Sequence, residues 1–195
     1  VATAVISAKT SIEYLNYTFS GSLPVLSLTA LLLTVFAFLV IMGIGESAKV
    51  ALIIFITHIV TLSLLVITGL FTLVLHPEIF QNNWGVLPEG RTFWGALFFG
   101  FSAALLGVSG FESSSNFIEE QKPGVFPKTL RNMWLAITIF NPLICIVALG
   151  IFPIDRLVGA KKHLLAAVAG DLGGQWAASF LAIDAALVLA GAVLA

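Results

Sequence analysis

Charge is what this sequence has least of. Of its 195 residues, 10% are Asp, Glu, Lys or Arg and 59% are hydrophobic, with a mean hydropathy of +1.07. Soluble domains carry about 25% charged residues. So few charges cannot cover a water-facing surface, so the solvent must be largely lipid. The net charge of −1 gives no basic field for nucleic acid. The single cysteine, Cys145, excludes an internal disulfide framework. Lying in an apolar run, it reads as a small buried filler. There is no metal-ligand cluster, no nucleotide loop and no nucleophile–base set; Ser113–Ser115 have no His placed to serve them. No cofactor is expected, and an intramembrane enzyme is disfavoured. The chain opens Val1-Ala2-Thr3-Ala4 without Met, a basic n-region or a cleavage site, so this opening stretch does not read as a signal peptide. It stops at Val193-Leu194-Ala195, inside an apolar run. Both ends read as cut through helices, and the chain as an internal fragment of a longer, transporter-sized protein.

What is present is a series of apolar runs. Crossing the hydrocarbon core takes about 20 mostly apolar residues. Residues 24–42 are uncharged and open on Pro24, a good first-turn residue. Residues 50–75 hold His58 as their one ionisable group, and 132–152 are uncharged. Residues 174–195 hold one acid, Asp184, and 92–121 begin apolar and then break down. Residues 1–16 read as the end of a further helix, where Lys9 and Glu13 are spaced to pair on one face. The fold class expected is all-α: a polytopic transmembrane helical bundle in one domain over 1–195, with partial spans at each end. The cell membrane is its expected location, and the cytoplasmic membrane if the source is bacterial.

The connections differ in character. Gly43–Lys49 is a tight turn. His76–Arg91 is longer and polar, with Trp84 near an expected interface. Residues 153–173 are long, with a mildly amphipathic stretch around Leu164–Val168 suited to lie on the surface or plug a vestibule. Lys49, Lys122, Lys128 and Arg131 fall on one side; Arg91, Arg156, Lys161 and Lys162 fall on the other. The first group lies in short connections near span ends and is expected to be cytoplasmic. Asn16-Tyr17-Thr18 fits a glycosylation sequon, which has meaning only in a eukaryotic source.

The informative stretch is Gly107-Val-Ser-Gly-Phe-Glu-Ser-Ser-Ser-Asn116. Two glycines, four serines and one asparagine stand where helix propensity should be high. Ser and Asn side chains compete for backbone hydrogen bonds. Unwound backbone at membrane depth is tolerated only where it is buried in protein or lines a wet cavity. Broken helices of this kind build binding sites in secondary transporters, from free carbonyls and a positive dipole end. The plainer reading ends the span near Gly110, with Glu112 capping a helix beyond it.

Gly107-Val-Ser-Gly-Phe-Glu112, followed by Glu119-Glu120-Gln121-Lys122-Pro123 and Pro127-Lys128, resembles the sixth span and following loop of the amino acid–polyamine–organocation permeases. Gly45-Glu-Ser-Ala-Lys-Val50 is similar to that family's turn between spans four and five. The resemblance covers essentially the whole chain, from the end of span three through most of span eight. It implies five-plus-five inverted repeats, and a central site between broken spans one and six. It also puts Lys49 and Lys122 inside the cell. In relatives, backbone carbonyls before the Gly-x-Glu receive the substrate's α-ammonium. The matching positions here are Leu106, Gly107, Val108, Ser109 and Gly110. Some relatives carry an aromatic gate six residues before the Glu; Leu106 stands there, which weakens the case for a large cationic substrate.

Three ionisable groups are candidates for proton coupling or gating. Glu112 is an intramembrane carboxyl beside unwound backbone; low dielectric favours an acid's neutral form, which suits carrying a proton. Helix capping is the plainer role. His58 takes the position where some relatives hold a Lys standing in for a sodium ion. A histidine there carries charge when protonated and releases it when neutral; a hydrogen-bonded core histidine is the alternative. Asp184 lies near the bilayer midplane, so it should face the bundle interior and pair with something. Span eight lines the cation site in the family's fold, so ion or proton coupling stands beside a structural hydrogen bond. The reading is secondary active transport of an amino acid or related small amine, coupled to protons, with sodium coupling or exchange as alternatives. A channel would need a polar stripe along several spans, whereas the polar residues here gather at one break. A sensor or structural subunit would lack solute uptake.

Overall fold

The computed structural model describes residues 2–19, 21–42, 48–87, 90, 92–105, 119 and 121–194. These are helical, with no strand among them. Helix α1 spans Ala2–Thr18, α2 Val25–Ile41, α3 Ala48–Leu75, α4 Glu78–Asn83 and α5 Phe93–Leu105. Helix α6 spans Val125–Ile151, α7 Ile154–Ala160 and α8 Leu164–Leu194. Three of them carry apolar stretches long enough to cross a membrane: Leu52–Leu75, Val125–Ile151 and Leu164–Val193. The fold is all-α, as the composition requires.

Prolines mark the starts. Pro24, Pro77 and Pro153 directly precede α2, α4 and α7, where a missing N–H costs nothing. Gly124, at φ 80°, caps α6, whose first residue, Val125, lies seven residues ahead of the uncharged run that begins at 132. Lys128 and Arg131 sit in that extension. Long basic side chains are tolerated at a span end because their heads reach the interface.

Helix α8 is two helices. At Gly174 the backbone adopts φ 78° and ψ −175°, a region that is essentially glycine-only. A Cβ placed on Gly170 would lie 3.3 Å from the Ala178 Cβ. In a straight helix, residues eight apart stand about 12 Å apart along the axis. The first part, 164–173, therefore folds back on the second, 175–194. The stretch around Leu164–Val168 is thus an ordered helix packed inward, with Ala166, Val168 and Ala169 buried.

The core lies where α1, α3, α6 and α8 meet, around Tyr14, Leu65, Val147, Phe152, Val168 and Leu181. Close approach uses small residues. A Cβ on Gly69 of α3 would fall 2.3 Å from Val147 Cγ1 of α6, so only glycine lets these helices meet as they do. Many apolar side chains point outward, among them Ile53, Ile67 and Phe71 on α3. That is the arrangement of a chain surrounded by lipid and further helices rather than water.

Two contacts order the ends of the bundle. Asn83 Nδ2 donates to the carbonyls of Leu149 and Phe152, at 2.8 and 2.7 Å. The connection after α3 therefore lies at the same end as the connection after α6. Because α3 and α6 both end there, Lys49 and the start of α6 share the opposite end. One expectation is corrected. Cys145 is exposed on α6, not a buried filler; the buried face of that helix is made by Val147, Ala148, Gly150 and Ile151.

Candidate functional site

The two lone ionisable groups of their spans meet. His58 Nδ1 lies 2.8 Å from Asp184 Oδ2. With the carboxylate ionised, Nδ1–H donates and Oδ2 accepts, which leaves Nε2 as the nitrogen that gains or loses the second proton. The Asp184 side chain is 5% exposed and that of His58 21%. Both lie deep. His58 is ten residues past the start of α3 at Ala48, and Asp184 ten before the end of α8 at Leu194. At about 1.5 Å per residue, each stands about 15 Å from its helix end. An acid at that depth is costly unless partnered, and the imidazole is the partner.

Sequence reasoning named both residues but did not join them. A signal existed. Each was the one ionisable group in its run, and both lie equally far from the same end of the bundle.

The 175–194 helix is held on two sides. Toward α1, its Ala182, Ala185 and Ala186 are buried, as are Ser7, Ala8 and Ser11 of α1, all 8% exposed or less; Ala178 meets Gly170 of the folded-back segment. Ser11 Oγ donates to the Ala186 carbonyl at 2.8 Å. Toward α3, Asp184 reaches His58. Just beyond the pair lies a crevice of about 270 Å³, bordered by Thr61 and Thr68 of α3, Gly173, Trp176 and Leu181. Its walls are mostly apolar, and the two threonine hydroxyls donate back to the Thr57 and Leu64 carbonyls of their own helix. Such a space lacks the polar partners that hold water.

A second charged group joins α1 to the residues just before α8. Glu13 lies 3.9 Å from Lys9 and 3.7 Å from Lys162. The Lys9 contact has the expected four-residue spacing; Lys162 adds a tie to the start of α8. Beside it, the His163 ring stacks on Tyr17 with centroids 4.3 Å apart. Burial pushes the His163 imidazole below its usual range; Glu13 opposes that and Lys162 reinforces it. Arg156 holds Asp171 through two hydrogen bonds, of 2.5 and 2.7 Å, and lies over the Phe152 ring. These contacts bind α7 and the folded-back 164–173 helix to the rest. Asn16 is used in the α1–α2 turn, its Oδ1 accepting from the Leu23 N–H at 2.9 Å. It is half-buried there, which argues against the sequon reading.

Leu106, Gly107, Val108, Ser109, Gly110 and Glu112 lie outside the described residues. Helix α5 is described to Leu105, at their threshold. Among the described residues no group of three or more His, Cys, Asp or Glu side chains is placed to hold a metal.

No curated protein and no solved structure matches this chain. The family comparison is positive along its whole length: residues 1–195 match the family described as amino acid permease. A lipid-solvated all-α bundle with an enclosed His–Asp hydrogen bond between two of its long helices accords with that match, and the chain belongs to the amino acid permeases, a family of membrane transporters.

Proposed function

We propose that the chain is part of a proton-coupled carrier of an amino acid or a related small amine, and that His58 and Asp184 form its coupling site. The observation that supports this reading is the 2.8 Å contact between the two groups in the middle of the bundle. A His–Asp pair has two useful states. With one proton shared, the pair is an imidazole bonded to a carboxylate and carries net −1. With a second proton on Nε2, it is an imidazolium–carboxylate pair and is neutral. Loading a proton thus removes a net charge from a low-dielectric place, which biases the helices that must move past it. The pair joins α3 to α8, so its state acts on how those two helices sit together.

In this reading, the backbone of Leu106–Gly110 receives the substrate ammonium through free carbonyls, and Glu112 gates or shares the proton. The support for these roles is the Gly/Ser-rich composition and the family resemblance of that stretch. Substrate would approach the break while the His58–Asp184 pair, on other helices, registers the proton. The cytoplasmic side is assigned to Lys49 and Lys122–Arg131.

The test is radiolabelled amino acid uptake by the intact carrier in proteoliposomes, with and without an imposed pH gradient. His58→Ala, Asp184→Asn and Glu112→Gln should each lose most of the gradient stimulation, while substrate binding at fixed low pH changes far less. Retention of wild-type stimulation by all three would sink the proton role. Uptake that follows a sodium gradient instead would make Asp184 part of a cation site and demote His58 to a structural partner.

A further inference from the structure

The coupling pair requires α8 to present Asp184 to α3 and not to some other neighbour. Rotation of α8 about its own axis decides this. Ala186 lies two residues beyond Asp184, about 200° further round the helix. The face carrying Ala182 and Ala186 is therefore opposite the face carrying the acid. Helix α1 meets it at Ser11, with Ser7 and Ala8 buried alongside. Small side chains on both sides bring the helices close, as in membrane helix pairs generally.

A seam of alanines and serines fixes distance but is smooth. Beside Asp184 these small side chains give little resistance to rotation; the larger Tyr14 and Leu181 pack in the core on the other side of Ser11. Ser11 supplies the missing constraint. Its hydroxyl is 2% exposed and donates to the Ala186 carbonyl at 2.8 Å, a bond with a direction. Toward the far end, Tyr14 bonds to the backbone at Leu165, on the folded-back part of α8. That contact fixes the 164–173 segment, which the Gly174 turn separates from the helix bearing Asp184. Within 175–194, the bond at Ala186 lies within one turn of the acid.

We propose that Ser11 is a positioning residue for proton coupling: by holding the Ala186 carbonyl it sets the rotation of α8 that points Asp184 at His58. The inference rests on the coupling role given to the pair above. Ser11 touches neither substrate nor proton; it acts through the helix.

The experiment uses the intact carrier in proteoliposomes and records the pH profile of uptake, not only its rate. Ser11→Ala removes the hydroxyl and keeps the small side chain, so the seam still closes. We expect several-fold lower gradient stimulation and a displaced pH profile, with substrate affinity at fixed low pH within about twofold of wild type. Ser11→Thr restores the hydroxyl and should recover most of the profile. An unchanged profile in Ser11→Ala, or a loss that Thr does not rescue while the Thr variant folds and binds substrate normally, overturns the proposal and leaves Ser11 as packing. Failure of the parent reading looks different: there His58→Ala and Asp184→Asn keep gradient stimulation whatever Ser11 does. A ¹⁵N-histidine spectrum of His58 gives an independent readout, since Ser11→Ala should change its hydrogen-bonded signature as Asp184→Asn does.

Discussion

The protein holds two groups of charged side chains with similar chemistry in different surroundings. One is the His58–Asp184 pair, about 15 Å from the helix ends, with Asp184 almost fully enclosed. The other is the cluster of Lys9, Glu13, Lys162, His163, Arg156 and Asp171, where most of the cationic side chains are more than half exposed. Both contain a histidine and a carboxylate. In the exposed cluster solvent can replace a lost partner, and several charges share each task. In the enclosed pair there is one acid and one base, and each is the other's partner. Enclosure therefore separates a contact on which function can depend from contacts that only tie segments together.

The largest effect should come from breaking the deep pair. Asp184→Ala leaves a buried imidazole without its acceptor, and His58→Ala leaves a buried acid. Removing one partner of a buried pair costs about 3–5 kcal/mol. Denaturation of the purified carrier should show a loss in that range for each variant. A loss no greater than that of Arg156→Ala would erase the distinction between the two groups.

Gly174→Ala should come next. A Cβ at φ 78° and ψ −175° is strained by about 1–3 kcal/mol. The fold-back of 164–173 should loosen first, seen as faster hydrogen exchange in that segment than in 175–194. Arg156→Ala should cost less, about 0.2–1 kcal/mol, because its ion pair with Asp171 is half open to water. Equal exchange rates across Gly174, or a large Arg156 effect, would show that the exposed cluster carries more of the fold than its exposure suggests.

The smallest predicted effect is titratable. Burial lowers the His163 pKa, so the folded state favours the neutral ring. Its contribution is full above the ordinary histidine value of about 6.5 and is lost as pH falls through the lowered folded value. Hydrogen exchange in 164–173 should therefore rise on acidification, and His163→Gln should flatten that response without touching the coupling profile. If His163→Gln instead displaced the pH profile of uptake, the two groups would not be separable.

Much of this is legible in the amino-acid sequence. A chain whose apolar runs 24–42 and 132–152 are uncharged, and whose runs 50–75 and 174–195 hold one ionisable group each, reads as a membrane bundle whose rare charges face inward, and His58 and Asp184 stand out from that alone. Their meeting is harder to read, because pairing depends on which faces of α3 and α8 oppose each other. That is set by the α1–α8 seam, made of residues as unremarkable as Ser11, Ala182 and Ala186. The division at Gly174 is half legible: the sequence starts a span at 174 after a mildly amphipathic connection. The fold-back of 164–173 is not, because only the backbone geometry at Gly174 reverses the chain. The filler role expected of Cys145 fails because an apolar run says a residue avoids water, and a residue facing lipid satisfies that as well as one in the core.

The Gly174 turn also settles a question of thickness. Read as one rod, Leu164–Val193 would be 30 apolar residues, about 45 Å at 1.5 Å each. The hydrocarbon layer is about 30 Å, and a rod that long must tilt steeply or deform the bilayer. Folding 164–173 back leaves 175–194 to make the crossing, 20 residues, or about 30 Å. The helix bearing Asp184 then fits the membrane without strong tilt, and its acid lies near the middle of the layer where partnership with His58 matters most.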